Sequence, residues 1–335
     1  MVRGLTLVRH APPPGCCASY YPEMQPLIAL AVTRAGIVGN VRPSGAETMY
    51  EATISHFAEL AGEKASALHK SVVGMFVAAM LAGAYIGIAM ILALSAAAGL
   101  PAGVRPLVMG ATFGIGLILT VFAGAELFTG YVMYLGFGLA RRTIGLRDTL
   151  VLLAVVWLGN LAGALILSGL FSLGGGGSVF AGDGAVLHAY VLHKVDSSAI
   201  ALLSRAILCN WLVCLAIWTA ARVQGDTAKC IALSWTLMAF VTAGFEHSVA
   251  NMTAFSLGLL VDQPSIDLAG VVRNLVLVTA GNVAGGALFV VVGYLLAARA
   301  LAGSVPDCAA TTPSRRGPSS EPKYFQPEEV PTICS

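Results

Sequence analysis

The sequence predicts an all-α protein that crosses a membrane several times. Of its 335 residues, 57% are hydrophobic, 11% are charged and 38 are glycine, a composition typical of polytopic membrane proteins. Short polar motifs recur in its two halves at a nearly constant spacing. Each of its long apolar segments exceeds the roughly 20 residues that a helix needs to cross a bilayer. These observations predict six transmembrane helices arranged as two inverted three-helix repeats, with segments at about 71–98, 107–137, 149–173, 199–221, 230–260 and 274–300.

The two ends of the chain differ in composition from this apolar region. Residues 1–48 contain a Pro-Pro-Pro run and a Cys-Cys pair, and they predict a disordered cytoplasmic extension, with Met49 as a candidate alternative start. Residues 49–70 place Phe57 and Leu60 among Glu and Lys, which predicts an amphipathic N-terminal helix at the surface. The predicted transmembrane domain then covers 71–303. A Pro-, Ser- and Arg-containing tail, 304–335, predicts disorder.

The links between the apolar segments predict the orientation. The link at 141–147 holds three arginines, and the link at 222–229 and the C-terminal tail are also basic. The glycine-rich tract at 174–178 predicts a flexible loop on the opposite, external side. The opposite links carry Arg105, Asp183, Lys194, Asp262 and Asp267. By the positive-inside rule both termini face the cytoplasm.

Charge and cysteine usage exclude several classes of partner. The net charge of +2 and the absence of a basic stripe argue against nucleic-acid binding. The seven cysteines show neither Cys-x-x-Cys nor Cys/His zinc spacing. We therefore predict no metal site, no disulfide framework and no cofactor.

Two pairs of motifs reveal an internal duplication. Ala-Gly-x-Glu occurs at 123–126 and 243–246, and Gly-Asn-x-Ala-Gly occurs at 159–163 and 281–285. A unit with an odd number of spans must insert its second copy in the opposite orientation, as in many transporters whose sites lie at interrupted helices near mid-membrane. The glycine-flanked polar residues of segments two and five predict such interruptions. Small residues and a buried amide favour a helix-packing role for Asn160 and Asn282.

A polar cluster interrupts the fifth apolar segment. Glu246 and His247 lie at its centre, and an ionisable group at mid-bilayer costs about 2.5 kcal/mol or more, so it marks a functional site by default. The alternative is that both side chains only hydrogen-bond neighbouring helices. Glu246 has two further possible roles, which are orienting His247 and binding backbone amides freed at the interruption.

Several longer motifs carry a resemblance to a known family. They are Glu126-Leu127-Phe128-Thr129-Gly130, Lys194, Cys209-Asn210-Trp211-Leu212-Val213-Cys214-Leu215-Ala216-Ile217-Trp218 and Gly244-Phe245-Glu246-His247-Ser248-Val249-Ala250-Asn251-Met252. With these motifs, residues 49–303 resemble the formate/nitrite transporter family. The 104–114 stretch and Glu126 are more similar to the nitrite-channel branch of that family, because the formate branch more often has Asp at the latter position.

The resemblance implies an aquaporin-like protomer in a homopentamer, with one pore per protomer and helix breaks near Thr129 and His247. It implies that His247 is the central pore histidine, that Thr129 faces it from a loop, that Asn210 lines the pore and that Lys194 stands in the external vestibule. It also implies a multi-pass protein of the bacterial inner (plasma) membrane. The matching positions of two apolar constrictions are Phe113, Leu117, Leu127, Phe128 and Phe240.

These expectations favour a channel or transporter for small monovalent anions, most of all nitrite as the anion or as nitrous acid. His247 with Thr129 offers the hydrogen bond or the proton that lowers the barrier to passage, while Lys194 concentrates anions at the mouth of the pore. Formate or another short monocarboxylate is the alternative substrate, and protons are a candidate co-substrate.

Two other classes are disfavoured. A membrane-embedded enzyme would need a nucleophile–base pair or a metal cluster, yet neither His-Glu-x-x-His nor Gly-x-Ser-x-Gly occurs. His188 and His193 are expected in an external loop, away from the core. A sensor or receptor lacks support because the sequence shows no soluble signalling domain.

Overall fold

The computed structural model describes residues 49–181, 184–261 and 266–302, and this part of the chain is helical. The predicted extension, 1–48, and the predicted tail, 304–335, lie outside the described residues. The first half contains α1 (Glu51–Lys70), α2 (Val72–Ala97), α3 (Arg105–Phe113), α4 (Ile115–Phe122), α5 (Phe128–Arg141), α6 (Leu146–Leu173) and α7 (Gly177–Phe180). The second half contains α8 (Ala185–Asp196), α9 (Ala199–Arg222), α10 (Asp226–Thr242), α11 (Ser248–Leu260), α12 (Leu268–Ala284) and α13 (Gly293–Ala302), with a π-helical stretch over Gly285–Val292.

Five helical stretches within the described residues are long and apolar enough to cross a membrane. They are Val72–Ala97, Arg105–Phe122, Leu146–Leu173, Ala199–Arg222 and Leu268–Leu301, and Ser248–Leu260 is a shorter apolar helix. Many large apolar side chains on these helices are exposed on the single chain. Such a surface suits lipid or another membrane-embedded chain rather than water.

The first helix packs on the body of the protein through one face. Ile54, Phe57 and Ala61 of α1 are buried, and the Phe57 ring stacks on Tyr134 of α5 with 5.4 Å between the centroids. Helix α1 ends where Ser71 becomes extended, and the Ser71 hydroxyl then accepts a hydrogen bond from the backbone of α2. This arrangement turns the chain from α1 directly into the first long apolar helix.

Glycines allow two helix pairs, α2 with α6 and α9 with α12, to approach very closely. A Cβ atom added at Gly163 would lie 1.9 Å from the Met80 carbonyl oxygen. The corresponding atom at Gly285 would lie 2.2 Å from the Ile207 carbonyl oxygen. The two glycines occupy the same place in the duplicated motif, so the repeat seen in the sequence is also a repeat of helix packing.

One loop expectation was wrong, and a second was wrong only at the end of its range. His188 and His193 lie in α8 rather than in a loop, because Leu187, Val191 and Lys194 form a buried stripe at helical spacing. The hydropathy pattern concealed this helix, since α8 is too short to resemble a membrane span. The predicted flexible stretch at 174–178 also runs into a short helix that begins at Gly177.

We predict that Gly163→Ala destabilises the protein far more than Gly169→Ala, although both lie in α6. The Gly163 substitution forces two backbones apart, whereas a Cβ at Gly169 meets nothing within 4 Å. Overpacking of this kind costs about 1–3 kcal/mol. Thermal unfolding of the two purified variants in detergent measures the difference, and equal melting temperatures would contradict the packing argument.

Candidate functional site

Two non-helical interruptions lie at equivalent places in the duplicated halves. Helix α4 ends at Phe122 and α5 begins at Phe128, while α10 ends at Thr242 and α11 begins at Ser248. Gly124 turns the first interruption with φ 73°. Gly244 turns the second with φ 71°, and this backbone region favours glycine because it has no Cβ.

The Asn160 side chain satisfies the backbone of the first interruption. Its Oδ1 accepts a hydrogen bond from the Phe128 N–H at 2.9 Å. Its Nδ2 donates to the carbonyl oxygens of Ala79, at 2.7 Å, and Glu126, at 2.9 Å. One amide therefore ties α2, α6 and the start of α5 together.

The Asn282 side chain does the same for the second interruption. Its Oδ1 accepts from the Ser248 N–H at 2.9 Å. Its Nδ2 donates to the carbonyl oxygens of Ala206 and Glu246, each at 2.9 Å. Each Asn thus hydrogen-bonds the backbone at one interruption. This role is more specific than the general helix-packing role that the sequence indicates.

A buried ion pair lies beside the second interruption. The Lys194 Nζ donates to Glu246 Oε2 at 2.8 Å, and both residues are almost fully buried. Asn251 Nδ2 donates to the same carboxylate oxygen at 2.7 Å and to Asn274 Oδ1 at 2.9 Å. Asn274 in turn donates to the Lys194 carbonyl oxygen at 3.0 Å. A buried charge pair persists when hydrogen bonds complete it in this way.

The positions of Lys194 and Glu246 differ from expectation. Lys194 belongs to α8 rather than to an open loop, and its charge is paired. The Glu246 carboxylate binds Lys194 and Asn251 rather than the His247 ring or the amides freed at the interruption. Burial explains both differences, because a carboxylate without water needs a cation close to it.

The first interruption has its own ion pair, which the sequence analysis missed. Lys64 of α1 donates to Glu126 Oε1 at 2.6 Å, and both side chains are partly buried. The duplication could have predicted this pair, because it places a glutamate beside each interruption and a buried glutamate needs a cation close to it. The role of Asn251 was missed as well, because the sequence shows it as part of the 244–252 motif and gives no sign of its contact with the Glu246 carboxylate.

His247 caps the first turn of α11 and contacts the other half of the duplication. Its Nδ1 accepts from the Ala250 N–H at 3.1 Å, and its Nε2 lies 3.1 Å from Thr129 Oγ1. Since Nδ1 accepts, Nε2 carries the hydrogen of the neutral ring and donates to the threonine. The ring also stacks on Phe240, with 5.9 Å between centroids.

Thr129 and Asn210 both contact the interruptions. Thr129 lies in the first turn of α5 rather than on a loop, and its carbonyl oxygen accepts from the Cys214 thiol at 3.6 Å. Asn210 Nδ2 donates to the Asn282 carbonyl oxygen at 2.7 Å, so Asn210 contacts the residue that supports the second interruption.

Two cavities approach the centre of the protein from different sides. The first, which we call the His247 cavity, has a volume of about 600 Å³ and is lined by residues that include Arg105, Lys194, Phe240, Glu246 and His247. The second, which we call the Glu126 cavity, has a volume of about 290 Å³ and is lined by residues that include Lys64, Leu117, Glu126, Leu127 and Lys229.

An apolar constriction separates the two cavities and leaves no room for a water-sized sphere. It shares Phe113, Phe240 and His247 with the His247 cavity, and Leu117 and Leu127 with the Glu126 cavity. Ile86, Val213 and Leu237 complete it. Each cavity therefore adjoins the constriction.

The constriction contains four of the five apolar residues singled out by the sequence analysis. The fifth, Phe128, is buried but does not line it. Phe113 and Phe240 meet edge to face, with 5.9 Å between their centroids. Within the part of the chain that the structure describes, no group of His, Cys, Asp and Glu side chains is placed to hold a metal ion.

These features define a multi-pass helical membrane protein with two cavities beside a central apolar constriction. The family model of the formate/nitrite transporter matches residues 51–296. The chain belongs to the formate/nitrite transporter family.

Comparisons with individual proteins agree with this assignment. The nitrite transporter NirC of Escherichia coli is 43% identical over 247 residues, which cover 73% of this chain and 91% of that protein. A solved structure described as an FNT family ion channel is 43% identical, with a TM-score of 0.71, and the match covers 73% of this chain and 98% of that one. A pentameric formate channel with formate bound is 29% identical, with a TM-score of 0.59, over 68% of this chain and 98% of that one.

We predict that Asn282→Leu and Asn160→Leu loosen different interruptions. Each substitution replaces an amide by an apolar group of similar size and leaves buried backbone groups unpaired, at about 1–3 kcal/mol per group. Hydrogen exchange should accelerate at 244–250 in the first variant and at 124–130 in the second. The two variants are controls for each other, and equal acceleration at both interruptions would contradict the assignment.

Proposed function

We propose that this protein is a channel for nitrite, with the path running from one cavity through the constriction to the other. The observation that carries the proposal is the placement of one polar contact, His247 with Thr129, at an otherwise apolar constriction between two cavities that carry charged side chains. The similarity to a nitrite transporter supports the substrate.

The proposed arrangement in the membrane has six crossings in two inverted repeats. Helices α3, α4 and α5 form the second crossing, and α10 and α11 form the fifth, each with its interruption near mid-membrane. Equivalent hydrogen bonds of Asn160 and Asn282 support this aquaporin-like plan. Residues 71–303 form the proposed channel domain, with α1 packed against it.

We also propose a homopentamer in a bacterial inner membrane, with both termini in the cytoplasm. The pentameric formate channel, which this chain matches over two thirds of its length, supports the assembly. The basic links at 141–147 and 222–229 support the orientation. The exposed apolar side chains form a surface that suits contact with lipid and with neighbouring subunits.

The proposed mechanism addresses the desolvation of the anion. An anion that leaves water for an apolar passage pays a large free-energy cost unless a donor replaces its hydration. The His247 Nε2–H, now bonded to Thr129, lines the passage and exchanges the threonine oxygen for a nitrite oxygen. In this step the ring donates a hydrogen bond, and a proton that converts nitrite to nitrous acid comes from the aqueous cavity.

Formate is the second candidate substrate. Formate and nitrite are both small monovalent anions with two oxygens, and the hydrogen bond from His247 does not distinguish carbon from nitrogen. The likeness to a formate channel with formate bound favours this candidate. Family membership favours transport over catalysis, since the matched relatives are transporters and channels.

We predict that His247→Asn lowers nitrite flux into liposomes that contain the purified protein. The shorter asparagine side chain does not place an N–H where the His247 Nε2–H lies, so flux should fall at least about tenfold, or about 1.4 kcal/mol of barrier. His69→Asn is the control, because His69 pairs with Asp148 at an exposed site outside both cavities. Unchanged flux in His247→Asn would overturn the proposed mechanism.

Parallel uptake of nitrite and formate at one pH decides the substrate. We expect nitrite to enter faster than formate and to compete with it for the same path. A clear preference for formate would preserve the path and replace the substrate. Flux of neither anion above that of empty liposomes would overturn the proposed function.

A further inference from the structure

The lysines nearest the interruptions offer little free charge to a passing anion. Lys194 is bound to Glu246 at 2.8 Å and lies over the Tyr190 ring, 4.7 Å from its centroid. Lys64 is bound to Glu126 at 2.6 Å. A carboxylate at hydrogen-bond distance cancels most of the field of each lysine at the distance of an approaching ion. The attraction of anions must therefore come from other groups.

Arg105 supplies such a charge in the His247 cavity. It is half-buried and lines the cavity, and its Nε donates to the Leu100 carbonyl oxygen at 2.8 Å. No carboxylate of the described residues lies within ion-pair distance of it. The Nε contact fixes the guanidinium while its two terminal nitrogens keep their N–H donors, a fork that matches an anion with two oxygens.

Lys229 supplies the equivalent charge in the Glu126 cavity. It lines that cavity, and its nearest carboxylate among the described residues is Asp226, at 3.8 Å. The Asp226 side chain is 81% exposed and does not line the cavity. The Lys229–Asp226 pair is weak because it is long and exposed to water. Asp226 therefore cancels little of the lysine's charge on the side of the cavity.

The positions of these two cations do not stabilise their helices. Arg105 is the first residue of α3, and Lys229 lies in the first turn of α10. The helix dipole favours anions at this end and disfavours cations. Helices α3 and α10 begin equivalent elements of the duplication, and each cavity receives one cation from the first turn of such a helix, although the two positions differ by about one turn. With its histidines neutral, each cavity has two cations and one carboxylate among its described lining residues.

We propose that Arg105 and Lys229 are the anion-collecting residues of the two cavities, and that they raise the local concentration of small two-oxygen anions at the two ends of the path. This inference rests on the proposed function. Fixed charge at a cleft accelerates the association of an oppositely charged ligand by about 10-fold or more at low salt. The two residues act on capture, whereas His247 acts on passage.

The test compares nitrite uptake into liposomes for Arg105→Gln, Lys229→Gln and the double variant. The protein inserts into liposomes in both orientations, so Arg105 faces the outside solution in some molecules and Lys229 does in the others. Each single substitution therefore affects entry in only one of these two sets of molecules. We expect the double variant to raise KM for nitrite about three- to tenfold at about 10 mM salt, with an unchanged maximal rate. The difference should shrink at about 300 mM salt, where the Debye length is only about 6 Å.

Two further variants separate charge from structure. Arg147→Gln removes the same charge at an exposed site outside both cavities, and it should leave KM unchanged. Arg105→Lys keeps the charge and should retain most of the capture. A double variant with the wild-type KM and salt dependence would overturn this inference alone, provided that the wild-type protein conducts. Absence of flux in the wild-type protein would instead overturn the proposed function.

Discussion

Interrupting a helix inside a membrane leaves backbone groups that lipid cannot satisfy, and the rest of this structure depends on how the protein satisfies them. Each unpaired group would cost several kcal/mol in hydrocarbon. Asn160 and Asn282 each supply one acceptor and two donors to the chain at an interruption. The close helix contacts at Gly163 and Gly285 bring these amides within reach. Packing by glycine and hydrogen bonding by asparagine are thus two parts of one solution.

The ion pairs at the interruptions explain how two glutamates are compatible with the proposed path for anions. Glu126 and Glu246 lie at the interruptions, where an unpaired carboxylate would repel nitrite or formate. Lys64 and Lys194 cancel these charges at 2.6 Å and 2.8 Å. The ion pairs therefore remove an electrostatic barrier, and they leave attraction to groups nearer the openings. Because α1 carries Lys64, this helix contributes to the electrostatics of the path as well as to the fold.

Five of the six predicted apolar segments overlap helical stretches that are long and apolar enough to span a membrane, because such segments depend on local composition, whereas the segment at 230–260 is divided between α10 and α11. The sequence also singled out His247, since a histidine in an apolar run stands out. It did not predict α8, whose buried stripe of Leu187, Val191 and Lys194 is too short for a hydropathy signal. Nor did it pair Lys194 with Glu246, because a contact across 52 residues depends on tertiary packing. The contact of Asn210 was inaccessible for the same reason: its partner is a single carbonyl oxygen, 72 residues away.

The chemistry of the path arises where the two repeats differ. Leu127 and His247 occupy equivalent positions, each directly before the helix that follows an interruption, and both line the constriction. Thr129 and Val249 are equivalent in the same way. A symmetric protein would have either two leucines and two threonines, with no imidazole at the constriction, or two histidines and two valines, with two rings in a narrow space. The difference between the repeats gives one imidazole and one threonine hydroxyl that bond each other beside an apolar constriction. In the proposed path, this single ring donor lowers the desolvation cost for one small anion without forming a strong binding site that would hold it there.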